Sequence, residues 1–197
     1  MKGIKETEDY VGVKPFYDMI STNTEKNYID FFYSDDRKNR SKNLIGFDSD
    51  QLIYVGNTKG ADYIFICLKG ENCELLNNPL VYVSSEGDPW EFFAQNFDEF
   101  LSLLYFGISI IPDTLININA YQYGIGLEGL KEKIMNEDYF LRLNSLLTST
   151  FPGFIEFRKR LVTDFKINQH ANPIDLIFHA KSRNPSFTQW ISNMSNQ

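Results

Sequence analysis

The chain has 197 residues, of which 43% are hydrophobic and 15% aromatic, so a sizeable core can form in one domain and disorder is not expected. Its net charge of −7 lies in the first half: residues 1–106 hold 10 basic and 18 acidic side chains (−8), and residues 107–197 hold 9 and 8 (+1). An acidic half repels phosphate backbones and anionic lipid, so we expect neither direct nucleic-acid binding nor membrane binding. The charge suits a basic partner, or it serves solubility alone.

The sequence predicts a reduced, cytoplasmic protein. Cys67 and Cys73 are the two cysteines, and the first ten residues, MKGIKETEDY, lack the apolar stretch of a signal peptide. The longest apolar run, FLSLLYFGISII, contains Ser and Gly and stops at Pro112. It is shorter than the roughly 20 residues that cross a bilayer.

Short strand candidates fill the first 112 residues. PFYDMI at 15–20 and NYIDFFY at 27–33 fit either a short helix or a short strand. The clearer strands are LIGF at 44–47, QLIYVG at 51–56, ADYIFICL at 61–68 and LVYVS at 80–84. Because the connections between them are short, we expect antiparallel hairpins, since a parallel return needs a longer crossover.

The strand at 61–68 is apolar on both faces. Alternation places Tyr63, Phe65 and Cys67 on one face and Ile64, Ile66 and Leu68 on the other. A strand of this kind is typical of the middle of a sheet that is covered on both sides.

Two helix starts compete after Gly87. Asp88-Pro89 offers a cap followed by a proline at the first helical position. Asn96, with Glu99 three residues later, forms a capping box, and the apolar residues that follow have helical spacing. We therefore predict that WEFFA is a short strand and that a helix spans about 97–106.

After Pro112 the apolar period is helical, which predicts five short helices. They are 127–135, 139–147, a stripe of Phe154, Phe157, Leu161 and Phe165, and two helices that begin at Asn172-Pro173 and Asn184-Pro185. We expect a core at 1–112 and a helical extension at 113–197 that packs on the core as one compact unit. The segment 117–129 is the predicted joint.

The sequence offers little for catalysis or for cofactors. His170 and His179 are nine residues apart, and Cys67 and Cys73 lack the close spacing of a structural zinc site. A thiol in the middle of a buried strand is a poor nucleophile. GIGLEG at 124–129 matches a dinucleotide-binding pattern but lacks the strand-turn-helix context and contains an acid. We expect no metal and no cofactor.

Carboxylate pairs and one aromatic-acidic cluster remain. The pairs are Asp35/Asp36, Asp48/Asp50, Glu86/Asp88 and Asp98/Glu99, and their places in turns or at a helix start favour solvation and capping. Trp90, Phe92 and Phe93 lie beside acidic residues, a combination that suits a basic protein partner. The same aromatic side chains also suit a core.

The segment from Leu44 to Tyr105 resembles the SUKH superfamily, which includes fungal cell-wall-synthesis regulators and many bacterial immunity proteins. The resemblance rests on NLIGFDSDQLIYVG, GADYIFICL and PLVYVSSEGDPWEFFAQNFDEFLSLL, in that order. Its typical elements are Gly60-Ala61-Asp62-Tyr63 before a central strand and Phe97-Asp98-Glu99-Phe100-Leu101 in a closing helix. The family's Asn-Gly-Gly turn is not present, and the first 40 and last 85 residues are not covered by the match.

The resemblance implies an α+β fold with a mixed, mainly antiparallel sheet flanked by helices and a helical C-terminal extension. It implies protein binding without enzymatic activity, as in immunity proteins that neutralise a cognate bacterial toxin, frequently a nuclease. Five motif residues are expected to hold the fold: Gly60, Asp62, Tyr63, Phe97 and Phe100. The predicted contacts with a basic toxin are Asp48, Asp50, Asp62, Glu86, Asp88 and Trp90.

Two alternatives stay open. The first is a regulatory interaction or scaffold protein in which the helical tail binds the partner. The second is a hydrolase that uses buried carboxylates, which needs a cleft with convergent polar groups.

Overall fold

The computed structural model describes residues 29–31, 46, 51–58, 62–69, 74–87, 89–107, 110–121, 129, 132, 136, 142, 145 and 154–194. Apart from isolated positions, the predictions for 15–20, 44–47, 127–135 and 139–147 lie outside these residues.

The described strands form one antiparallel sheet in the order β1-β2-β3-β4-β5. They are β1 Ile29–Phe31, β2 Leu52–Thr58, β3 Tyr63–Cys67, β4 Leu80–Val83 and β5 Trp90–Ala94. Sequence neighbours pair throughout, which confirms the predicted antiparallel hairpins. From β2 to β5 the connections are short enough for each strand to pair with the next without a crossover, whereas 20 residues separate β1 from β2.

Strand β3 lies in the centre of the sheet and divides two hydrophobic cores, as its two apolar faces predict. The large core contains Ile64 and Ile66 with side chains from the helices. The small core consists of Leu52, Tyr54, Phe65, Cys67, Val81, Val83, Phe92 and Phe187. Every side chain of β3 after Tyr63 is buried, so both faces are covered and the burial of apolar surface stabilises the sheet from both sides.

Five helices are described, and the fold is α+β, as predicted. They are α1 Phe97–Phe106, α2 Ile110–Tyr121, α3 Phe154–Asp164, α4 Pro173–Arg183 and α5 Phe187–Met194. Helices α1, α2, α3 and α4 contribute to the large core, and α5 contributes Phe187 to the small core. A short 3₁₀ helix, Leu75–Asn77, precedes β4.

Helix α1 begins where the capping box predicts. The Asn96 Oδ1 atom accepts the Glu99 N–H at 2.8 Å, and the Glu99 carboxylate accepts the Gln95 N–H at 2.8 Å. The first bond satisfies a backbone donor that the helix itself leaves unbonded, and the second satisfies the N–H of the residue before the cap. The predicted strand at WEFFA and the predicted helix at 97–106 are both confirmed.

The two Asn-Pro starts have different outcomes. Asn172 caps α4, and its Oδ1 atom accepts the Ile174 N–H at 2.9 Å. The prediction for Asn184 is wrong. Its Nδ2 donates to the Ala180 carbonyl at 2.7 Å and closes α4, while Ser186 caps α5 by accepting the Gln189 N–H at 3.2 Å.

Helix α2 begins at Ile110, whereas helical spacing is predicted only after Pro112 and the first helix of the extension only at 127. Proline is tolerated in the first helical turn, because the N–H that it lacks has no intrahelical partner at that position. The helix continues to Tyr121, so the predicted joint at 117–129 begins inside a helix. The predicted boundary between residues 112 and 113 falls within the first turn of α2.

Candidate functional site

The turn that joins β4 to β5 is built around Ser84. The Ser84 N–H donates to the Pro89 carbonyl at 3.1 Å, and the Ser84 carbonyl accepts the Gly87 N–H at 3.2 Å. The Ser84 hydroxyl accepts the Glu86 N–H at 3.2 Å. Gly87 has φ +103°, a conformation that side chains with a Cβ rarely adopt. These bonds fix the turn and leave the Glu86 side chain exposed to solvent.

Asp62, which immediately precedes β3, is bonded to this turn. Its Oδ1 atom accepts the Ser85 N–H at 3.0 Å, and its other oxygen accepts the Tyr82 hydroxyl at 2.5 Å. Hydrogen bonds to a carboxylate are stronger than those between neutral groups. Asp62 therefore lies against the turn that carries Glu86, although 24 positions separate the two residues in the sequence. We call this unit the acidic turn: Ser84, Ser85, Glu86 and Gly87, with Asp62 bonded to it.

Tyr82 supports the acidic turn from the large core. Its ring is almost completely buried, and only its hydroxyl reaches Asp62. Burial is the main cause that raises the pKa of Tyr82 well above its ordinary value, followed by the bond to Asp62 and the charges of Asp62 and Asp113. The phenol is a hydrogen-bond donor, and its raised pKa makes it a poor general base.

Trp90 connects the acidic turn to the small core. Its Nε1–H donates to the Ser84 carbonyl at 3.1 Å, and its ring centroid lies 6.3 Å from that of Phe187. Its neighbour Phe92 is buried in the small core, and Phe93 is buried in the large core. Phe92 and Phe93 of the predicted aromatic-acidic cluster thus belong to the two cores, and Trp90 is half-buried at the edge of the small core.

The structure brings together three of the six predicted contact residues, Asp62, Glu86 and Trp90, around Ser84 and Ser85. The other three, Asp48, Asp50 and Asp88, lie outside the described residues. Sequence reasoning missed the roles of Tyr82 and the two serines. The pattern LVYVSSEG gave no signal for the Ser84 bonds, which depend on the closed turn.

Among the described residues, the reactive side chains are poorly placed for covalent catalysis. Cys67 is fully buried, and burial raises the pKa of its thiol well above the ordinary value, while Lys69 acts in the opposite direction. A buried, protonated thiol is a weak nucleophile. His170 and His179 are exposed, the first in the connection before α4 and the second on α4 itself.

The carboxylates at the start of α1 have a structural role. Glu99 holds the Gln95 N–H, and Asp98 is exposed in the first helical turn, where a negative charge is stabilised by the helix dipole. In the described part of the chain, no group of three or more His, Cys, Asp or Glu side chains is arranged to hold a metal ion.

No single helix among those described is long and apolar enough to cross a membrane. Helix α1 and the first part of α2 reach that length and composition only as a pair, which is bent by 97° at the break. No family model, curated protein or solved structure matches this chain. The SUKH resemblance therefore stays a prediction.

Proposed function

We propose that this chain is a non-enzymatic protein-binding module of SUKH type, an immunity protein that neutralises a basic bacterial toxin through the acidic turn. The observation that carries the proposal is the bond from the Ser85 N–H to Asp62, which holds this carboxylate against the turn that carries Glu86. A basic nuclease cleft is a complementary surface, because it is built to hold phosphate.

The hydrogen bonds that close the acidic turn support this role. Its backbone is closed by the Gly87 N–H, which donates to the Ser84 carbonyl, and by the Ser84 N–H, which donates to the Pro89 carbonyl. The Trp90 indole N–H also donates to the Ser84 carbonyl. A binding surface that is ordered before the encounter avoids part of the entropy cost of association. Fixed negative charges also steer a basic partner toward the surface and raise the association rate.

The charge distribution points the same way. The first half of the chain, which supplies the sheet and the acidic turn, carries a net charge of −8, counted above as 10 basic and 18 acidic residues. The second half is close to neutral. A chain with this charge distribution attracts a cationic protein.

The experiment uses the protein encoded next to this chain's gene as the candidate toxin. Its production alone should arrest bacterial growth, and co-production of the chain should restore growth. Glu86→Lys should slow association by roughly tenfold and weaken its dependence on salt, since electrostatic steering is lost. The matched control is Glu156→Lys, the same charge reversal at an exposed position on α3.

Two results would contradict the proposal. Equal losses for Glu86→Lys and Glu156→Lys would mean that total charge, and not the acidic turn, governs binding. No complex with the neighbouring protein and no rescue of growth would remove the immunity function.

A second candidate is a regulatory interaction protein that binds through its helices. Ile116 on α2 and Ile155 on α3 favour it, because they are large apolar side chains that are about half exposed, at 55% and 50%. Ile155→Ser should then weaken partner binding while Glu86→Lys has no effect. The opposite pattern is expected for the acidic turn.

A further inference from the structure

The C-terminal helix α5 closes the small core with one fully buried side chain. Phe187 lies 5.9 Å from Phe92 and 6.3 Å from Trp90 between ring centroids, and it stacks on Trp190 at 5.6 Å. Trp190 and Ile191 are half-buried against the same core. The exposed positions of the helix are Thr188, Gln189, Ser192 and Asn193.

The packing of these rings holds α5 against the small core. The helix has eight residues and is separated from α4 by the non-helical segment from Asn184 to Ser186. A helix of two turns is not stable alone in water, so its order comes from packing. Segments with few buried contacts open locally at a lower free energy than the whole domain unfolds. We therefore expect α5 to detach while the sheet stays folded.

Trp90 is shared between α5 and the acidic turn. Its ring packs on Phe187, while its indole N–H donates to Ser84, whose neighbour Ser85 bonds to Asp62. We propose that α5 is a displaceable latch on the acidic turn. When α5 leaves the small core, Trp90 loses the Phe187 ring, and its indole bond to the Ser84 carbonyl, one of the bonds that hold the turn, opens with it.

This coupling involves only residues of this chain, so it can be tested without a partner. Its consequence rests on the proposed function: a partner that needs the ordered turn would bind more tightly when α5 is docked. The coupling is reciprocal, so binding at the turn would also stabilise α5.

The test is hydrogen exchange of the full chain, followed by NMR. In the unmodified protein, the Trp90 indole N–H, the Ser85 amide and the α5 amides should share one opening free energy, below that of the Phe65 and Ile66 amides in β3. Phe187→Ala should accelerate the first group by about a hundredfold or more, because a large buried ring is lost. The β3 amides should stay slow relative to that group.

The matched control is Phe157→Ala on α3, which removes a half-buried ring from the large core. It should not accelerate the Trp90 indole N–H selectively over the β3 amides. If Phe187→Ala does not fold, Ile191→Ala supplies the same comparison with a smaller truncation. The latch proposal is wrong if the α5 amides exchange rapidly in Phe187→Ala while the exchange rates of the Trp90 indole N–H and the Ser85 amide stay unchanged. That result would leave the growth and binding experiment with Glu86→Lys unaffected, so the two proposals fail separately.

Discussion

The Lys181 Nζ atom lies 2.7 Å from the Glu91 Oε1 atom and joins α4 to β5 across 90 positions of sequence. Both side chains are only 19% exposed. Nearby, the Gln95 side-chain amide donates to the His179 and Ala180 carbonyls at 3.3 and 3.2 Å. The C-terminal end of α4 is therefore fastened to the sheet by an ion pair and by hydrogen bonds, in addition to its apolar face.

Replacement of Lys181 by methionine should lower the free energy of unfolding by about 1–3 kcal/mol, because Glu91 is left half-buried without its cation. Urea unfolding at neutral pH measures the change. The matched control is Lys159→Met, which breaks an exposed pair with Glu156 at 3.9 Å. Its effect should not exceed about 0.5 kcal/mol. Equal effects of the two variants would show that the Lys181–Glu91 pair contributes no more to the free energy of unfolding than an exposed pair does.

Tyr82→Phe should lower the free energy of unfolding by about 1–2 kcal/mol at neutral pH, since Asp62 loses a hydroxyl donor. The Ser85 amide should exchange faster, because Asp62 is then held less firmly. An unchanged exchange rate of the Ser85 amide would show that Tyr82 does not position the Asp62 carboxylate.

The same residue predicts a dependence of stability on high pH. Burial and Asp62 raise the pKa of Tyr82 in the folded state above its ordinary value of about 10. The stabilising contribution is thus complete below about pH 10 and is lost as the pH rises, because the unfolded chain releases the proton first. Between roughly pH 10 and 12, unfolding curves of the unmodified protein should show a steeper loss than Tyr82→Phe, by up to about 1.4 kcal/mol per pH unit. Parallel losses would contradict the assignment.

Lys166 follows α3 with φ +52°, the left-handed conformation that glycine adopts more readily. Lys166→Gly should therefore raise the free energy of unfolding by about 0.5–1 kcal/mol. Lys159→Gly is the matched control, and it should lower the free energy by about 1 kcal/mol because it lies inside the helix. A loss of stability in both variants would mean that the conformation of Lys166 carries no strain.

Cys67 should react with an aromatic disulfide reagent only when the protein opens. In a Cys73→Ser background, the rate for the folded chain should be at least about a thousandfold below the rate in denaturant, because the thiol is buried and protonated. Rapid modification of the folded chain would indicate an accessible thiolate and would support the hypothesis of an enzyme.

Local patterns predicted the elements because each pattern is satisfied within a few residues. The two apolar faces of β3 followed from alternation, and the start of α1 followed from Asn96 and Glu99, which bond within one turn of helix. The same reasoning from neighbouring residues gave a wrong prediction at Asn184, which closes α4. Asn172 and Asn184 both precede proline, but only Asn184 follows the end of α4, where its side chain donates to the Ala180 carbonyl.

The candidate site was predicted only in part. Asp62, Glu86 and Trp90 were selected for charge and aromatic character, and nothing in their spacing showed that they share Ser84 and Ser85 as neighbours. The positioning role of Tyr82 also depends on a contact between residues 20 positions apart. Such contacts follow from the register of β3 against β4, which pairs Tyr63 with Val83.

By itself, the sequence determined the acidic first half, the strands from β2 to β5, the starts of α1 and α4, and a central strand that is apolar on both faces, because charge, alternation and capping are properties of neighbouring residues. Only the tertiary structure decided that the lead-in to β3 and the turn after β4 form one acidic unit, and that α5 reaches it through Trp90. The physical reason is that hydrogen bonds and ring contacts between distant residues exist only after strand register and helix docking have placed them within a few ångströms of each other.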